Sequence, residues 1–255
     1  MGVVISLMSR KGGVGKTSFC INLAGHWSET GVPVRLVDLD NQASLSQFFL
    51  GSEAVERLRP NESIEACLTG ESKPEDVERE TKFPNISLIP ASFNLRATSD
   101  SELHLRASGA TVTLLDLPPD LKNPVVEAAM LTSDFVLSPV DPEGFGAQSI
   151  VSVQNAMHSV ALGFNRNLHL LGFVINRRQR LSVHNAIEEA LRRIHQSAVM
   201  ETVVPLLTAF KEATTFAQKP ITMYQPKSQA AKVIRDLSDE MLERISQVSQ
   251  GRAAA

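Results

Sequence analysis

The sequence predicts an α/β fold, a mostly parallel, doubly wound β-sheet flanked by helices. Three observations support this. Short apolar runs alternate with stretches of helical periodicity along nearly the whole chain of 255 residues. Several runs end in Asp or Asn where strand gives way to loop, the end at which ligands bind in parallel sheets. A glycine-rich turn follows the first run. With 43% hydrophobic residues, a chain of this length can bury one large core. One domain is expected over residues 1–250, with a disordered tail, Gly-Arg-Ala-Ala-Ala, at 251–255.

Val3 to Met8 reads as a buried strand. It leads into Ser9-Arg10-Lys11-Gly12-Gly13-Val14-Gly15-Lys16-Thr17-Ser18, and Phe19, Ile21, Leu23 and Ala24 then begin a helical pattern. Strand, glycine turn and helix N-terminus together make a phosphate cradle, because unpaired N–H groups and the helix dipole both favour an anion. Gly12, Gly13 and Gly15 let the backbone approach phosphate oxygens. Lys16 can neutralise β- and γ-phosphates, and the Thr17 hydroxyl can ligate Mg²⁺. The pattern G-x-x-x-x-G-K-[ST] is not met literally, since Arg10 stands at its first glycine.

Gly31 suits the C-terminus of this helix. Val34 to Val37 reads as a second strand ending in Asp38-Leu39-Asp40-Asn41-Gln42, carboxylates placed to meet Mg²⁺ or an attacking water. Residues 52–82 hold nine acids and read as short helical pieces with breaks at Gly70 and Pro74. Ile86 to Pro90 is the next strand, and a helix is expected from about Leu95 to Arg106. Thr111 to Asp116 is a strand closing in a carboxylate, followed by Leu117-Pro118-Pro119-Asp120. Asp116 is placed to hold Mg²⁺. Phe135 to Val140 is a strand, and Asp141-Pro142-Glu143-Gly144 opens a helix to about Leu162. Leu168 to Ile175 ends in Asn176-Arg177-Arg178, and Thr202 to Val204 is read as a strand before Pro205. A helix from about Ser182 to Gln196 lines up Val183, Ile187, Leu191 and Ile194 on one face, with Arg192 and Arg193 opposite. The last helix presents Val233, Ile234, Leu237, Met241, Leu242, Ile245 and Val248 for docking on the sheet, and carries Asp236, Asp239, Glu240 and Glu243 on its polar face.

The net charge of −3 conceals a polarity. Residues 1–165 hold 12 Lys and Arg against 20 Asp and Glu, whereas residues 166–255 hold 13 against 8. A polyanion partner on one side, or merely solvated surfaces, would explain it. No apolar run approaches the length of a membrane span, and the N-terminus lacks the pattern of a signal peptide. Cys20 and Cys67 make no metal-spaced pair, and a reducing cytoplasm is expected.

Lys11 to Thr17 resembles the deviant Walker A motif K-G-G-x-G-K-[ST] of the ParA/MinD family of ATPases, whose mark is the second lysine, here Lys11. Asp38 to Gln42 resembles the family's D-x-D-P-Q, with Asn41 in place of proline, and Asp116 to Pro119 resembles its D-x-P-P. Pro220 to Ser228 resembles a signature near the C-terminus. The resemblance runs from Val3 to about Leu242 and points to small Soj-like ParA partition proteins without an N-terminal helix-turn-helix domain, since none precedes Val3. It implies a single-domain P-loop NTPase that hydrolyses ATP to ADP and phosphate, slowly unless stimulated, with ATP and Mg²⁺ as cofactors.

By that resemblance, Lys11, Gly12, Gly13, Val14, Gly15, Lys16, Thr17 and Ser18 bind nucleotide, Asn176 contacts adenine, and Pro205 lies near the base. Thr17, Asp38 and Asp116 serve the metal. Lys11, Lys16 and Asp40 are catalytic, Asp40 positioning the water and Lys11 reaching the other protomer's phosphates in an ATP-bound homodimer. Arg177, Arg178, Arg180, Arg192, Arg193, Lys219 and Lys227 form a basic strip for non-specific double-stranded DNA. Local pairing of Arg192 and Arg193 with Glu188 and Glu189 is the competing explanation. Met223, and the neighbourhood of His195, stand where some relatives carry DNA-contacting arginines. The implied function is partition of plasmid or chromosome DNA, with release triggered by a ParB-like adaptor, in a cytoplasmic and nucleoid-associated protein. The alternative is a ParA-like ATPase positioning a protein cargo on DNA or another surface. Other branches fit less well. The two cysteines do not suit an iron–sulfur carrier, Tyr224 is the only tyrosine, and no tandem repeat is present. The basic amphipathic membrane helix that ends the MinD branch is missing.

Overall fold

The computed structural model describes residues 2–93, 95–96, 103, 112–143 and 146–253. The first half comprises β1 (Val3–Leu7), α1 (Lys16–Glu29), β2 (Val34–Asp38), α2 (Ser44–Leu50), α3 (Ser52–Glu56), α4 (Ile64–Leu68), α5 (Pro74–Val77), β3 (Arg79–Glu80) and β4 (Ile86–Ile89). The rest comprises β5 (Val112–Asp116), α6 (Pro124–Thr132), β6 (Phe135–Val140), α7 (Gly146–Gly163), β7 (His169–Ile175), α8 (Ser182–His195), α9 (Thr208–Lys211), α10 (Ile221–Tyr224) and α11 (Gln229–Ala253).

The strands form one sheet in the order β3-β4-β2-β5-β1-β6-β7. Every pairing is parallel except that of β3 with β4. Side chains alternate across a strand, and here the alternation sorts them into two cores. Val4, Val37, Leu115 and Val136 pack on one face with α6 and α7, whereas Ile5, Leu36, Leu114 and Leu137 pack on the other with α1 and α11. Sheet burial on both faces accounts for the nearly continuous apolar runs. β1 lies between β5 and β6. The loop after β1 therefore stands among the carboxyl ends of the central strands, including Asp38 and Asp116, which are register partners.

Three sequence expectations change. Residues 202–204 form no strand; isolated bridges at Val199 and Pro205 replace it. The Glu240 carboxylate accepts the backbone N–H groups of Glu201 and Thr202, both at 2.8 Å, so these donors are not available for a ladder. Glu240, on the polar face of the last helix, thus also holds this backbone in place. The expected tail at 251–255 is helical as far as Ala253, because Ala and Arg propagate a helix already under way. On α8, His184 and Leu191 are buried while Val183 and Ile194 are exposed, so the apolar stripe is wider than its contact with the core. The helix expected near 95–106 lies largely outside the described residues.

The outer edge of β7 is covered. Met200 and Val204 donate backbone N–H groups to Phe173 and Ile175, and Arg244 on α11 donates to the carbonyls of Leu171 and Val199. α11 is anchored to α1 through Trp27 Nε1, which donates to Ser238 Oγ at 2.7 Å.

Candidate nucleotide-binding site

The chain leaves β1 and reaches α1 through two left-handed glycines, Gly13 (φ 73°) and Gly15 (φ 103°). A Cβ on Gly15 would stand 2.4 Å from Asn176 Nδ2, so the close approach of loop and β7 requires glycine there. α1 opens at Lys16, which points its N-terminal N–H groups into the hollow of the loop. Lys16 is buried and forms no ion pair among the described residues. Burial pulls its pKa down, against the pull of Asp116 and Asp40. A lysine so placed is set to meet phosphate.

Facing it, Thr17 Oγ1 donates to Asp116 Oδ2 at 2.6 Å. Asp116 Oδ1 is buried with no hydrogen-bond partner, an unmet demand that a magnesium ion or its water would satisfy. Burial, reinforced by the charge of Asp38, pushes the Asp116 carboxyl above the ordinary range. Asp38 is also raised by burial, although its oxygens are well supplied. Ser46 donates to Asp38 Oδ2 from both N (2.8 Å) and Oγ (2.7 Å), and Asp40 N–H donates to Oδ1. Asp38 thereby shapes the β2–α2 turn. Asp40 is half-buried at the edge of the hollow, and its Oδ1 accepts the Gln42 N–H at 3.0 Å. Asn41, the residue that departs from the motif, is exposed in this turn. No cluster of three or more His, Cys, Asp or Glu side chains among the described residues makes a metal cage. Thr17 and Asp116 therefore suit a cation that keeps most of its ligands from nucleotide and water.

Lys11 points away from its own loop. Its Nζ lies 3.0 Å from Asp141 Oδ2 and 2.7 Å from Glu143 Oε2, and these acids raise its pKa, Glu143 first. Its side chain is 45% exposed. At the end of β7, Asn176 Nδ2 donates to the Val14 carbonyl at 2.7 Å and Asn176 Oδ1 accepts the Arg177 N–H. One N–H and one lone pair of this amide are left for a base. Pro205 lies beside them, bridged to Arg178.

A family model described as an AAA domain matches residues 2–170. The chromosome-partitioning ATPase Soj of Thermus thermophilus is 31% identical over 252 residues, spanning 95% of this chain and 96% of Soj. The chain belongs to the ParA/MinD family of ATPases. The cell division ATPase MinD of Pyrococcus furiosus superposes with a TM-score of 0.76 at 27% identity, over 95% of this chain and 99% of MinD. A putative plasmid partition protein of Borrelia burgdorferi, solved with AMPPNP, shares the fold at 19% identity and a TM-score of 0.76, over 97% of this chain and 99% of that protein.

In this ParA/MinD ATPase the basic strip splits into three groups. Arg180, Arg193, Lys219 and Lys227 are exposed and form no ion pair among the described residues. Arg178 is held by Asn185 and Glu188, and Arg192 by Glu188 and Glu201. Arg177 turns to the loop, donating to the Gly13 carbonyl at 3.0 Å. Sequence reasoning missed Asp141 and Glu143 as the partners of Lys11 and Ser46 as the partner of Asp38. A signal for Asp141 was present, since it follows β6 as Asp38 and Asp116 close β2 and β5.

Proposed function

We propose that this ATPase is a ParA-type partition protein, whose ATP-bound form is a face-to-face dimer that binds DNA without sequence preference. The observation that carries the reading is the division of labour between the two lysines of one loop. Lys16 is buried in the cradle, whereas Lys11 lies outside it and is half exposed. A lysine that cannot serve its own phosphates in this pose is available to a partner's, as an arginine finger in trans would be. Thr17 and Asp116 would hold Mg²⁺, which neutralises phosphate charge, and Asp38 would order their surroundings from behind. Asp40 would orient the water, and Asn176 and Pro205 would border the base. Arg180, Arg193, Lys219 and Lys227 would meet DNA phosphates. A ParB-like adaptor would stimulate hydrolysis and release, giving nucleoid association that follows the nucleotide. The exposed Leu181, Val183 and Ile194 favour a second reading, a protein cargo docked beside the strip.

The test is binding to random duplex DNA with ATP, ADP or no nucleotide at two salt concentrations. Salt-sensitive binding that needs ATP, that Asp40→Ala strengthens and Lys16→Ala abolishes, supports partition on DNA. ATP-dependent dimerisation with no DNA binding at low salt sinks that reading and leaves the protein-cargo one.

A further inference from the structure

Arg177 and Arg178 are adjacent, yet their side chains diverge. Arg178 turns to Asn185 and Glu188 on α8, whereas Arg177 Nη1 reaches the Gly13 carbonyl, 164 positions away in sequence. It does so from a left-handed backbone of φ 58°, a conformation strained for a non-glycine residue. Its neighbour supports the turn: the Arg177 N–H donates to Asn176 Oδ1 at 2.9 Å, while Asn176 Nδ2 holds the Val14 carbonyl. Two successive residues after β7 thus take two successive carbonyls of the phosphate loop.

A trans peptide sets its N–H opposite its C=O. Turning the Gly13 and Val14 carbonyls toward β7 therefore turns the N–H groups of Val14 and Gly15 away from it. The flanking residues, Gly13 and Gly15, both have positive φ, and glycine gives a peptide plane little resistance to flipping. A phosphate cradle works only while its N–H groups converge. Asn176 secures one plane with a neutral donor and Arg177 the other with a charged one, the stronger kind.

We propose that Arg177 is a positioning residue of the nucleotide site, holding the Gly13 peptide in its phosphate-binding orientation, and that it is not a DNA contact. This rests on the ATPase site alone and not on the partition reading.

The experiment titrates a fluorescent ATP analogue and its ADP counterpart, each with Mg²⁺, measures KM and kcat, and follows DNA binding against salt. Arg177→Ala is expected to weaken both nucleotides about tenfold. KM should rise by the same factor, with kcat within about twofold because Lys16, Thr17 and Asp40 are untouched. Arg177→Lys should restore most of the affinity, since an ammonium can donate to the same carbonyl. Arg177→Gly, which relaxes the left-handed turn and so preserves folding, must lose affinity as Arg177→Ala does. Nucleotide affinity within about twofold of the parent in both Ala and Gly variants overturns the proposal. If in addition the salt slope of DNA binding falls by about one, Arg177 is a phosphate contact on DNA. A protein that ignores DNA in every form refutes partition on DNA and leaves the nucleotide titration intact.

Discussion

Asp116 bears two opposed demands. Buried next to Asp38, it resists ionising, yet a metal site needs its charge. Its folded pKa is raised to about 8, well above that of the unfolded chain, so between those values the folded state binds more protons and stability falls as pH rises. Asp38, raised to about 6, acts with the same sign over the lower part of that window. The melting temperature of the nucleotide-free protein is expected to decline between about pH 5 and pH 8. Asp116→Asn should flatten that decline, and an unchanged slope in the variant would place its origin elsewhere. Lysines were easier to read than acids. Lys11 and Lys16 lie in one continuous motif, so a glycine-rich loop between β1 and α1 was legible in the sequence. The partners of Lys11 were not, because Asp141 and Glu143 meet it only when β6 is laid beside β1. The direction of the Arg177 side chain, toward the Gly13 carbonyl, was hidden for the same reason. Adjacent basic residues look like one patch in a linear sequence, and only the left-handed turn separates their directions.

Helices and strands were legible wherever their own periodicity determined them. β1, β2, β5, β6 and β7 lie where their apolar runs do, and Gly31 ends α1 in the left-handed conformation expected of it. Legibility failed where a distant group took over. Nothing within residues 200–205 says that Glu240 will take their N–H groups. A similar distant constraint acts inside α1. Gly25 lies mid-helix, where Ala is intrinsically better by about 1 kcal/mol. An added Cβ there would stand 2.1 Å from Pro220 Cβ and 2.6 Å from its Cγ, a rigid ring just before α10. Gly25→Ala is therefore expected to destabilise by about 1–3 kcal/mol despite its propensity. Gly172→Ala meets Met200 Sδ at 2.4 Å, and a flexible thioether can move aside more easily. Chemical denaturation of both variants should find Gly25→Ala the more damaging; the reverse order would mean that the α1–α10 contact yields.

The whole chain joins an acidic stretch, residues 1–165, to a basic one, residues 166–255. In the single chain Lys11 is held by Asp141 and Glu143 outside its own cradle, so the role proposed for it toward a second copy is open to a direct test. Lys11→Ala should leave nucleotide affinity within about twofold while lowering partner-stimulated hydrolysis by about 10³ or more. An equal loss in nucleotide affinity would show that Lys11 serves its own site. No helix of the described residues is long and apolar enough to cross a membrane. A protein at high concentration faces a hazard that a dilute one escapes. Open sheet edges are templates for other chains, and crowding raises the rate at which they meet. Here the β7 edge is occupied by Met200, Val204 and the Arg244 guanidinium, and the other edge ends in the two-residue β3. Loss of Arg244 is therefore expected to appear first as turbidity at high protein concentration, before any loss of ATP hydrolysis.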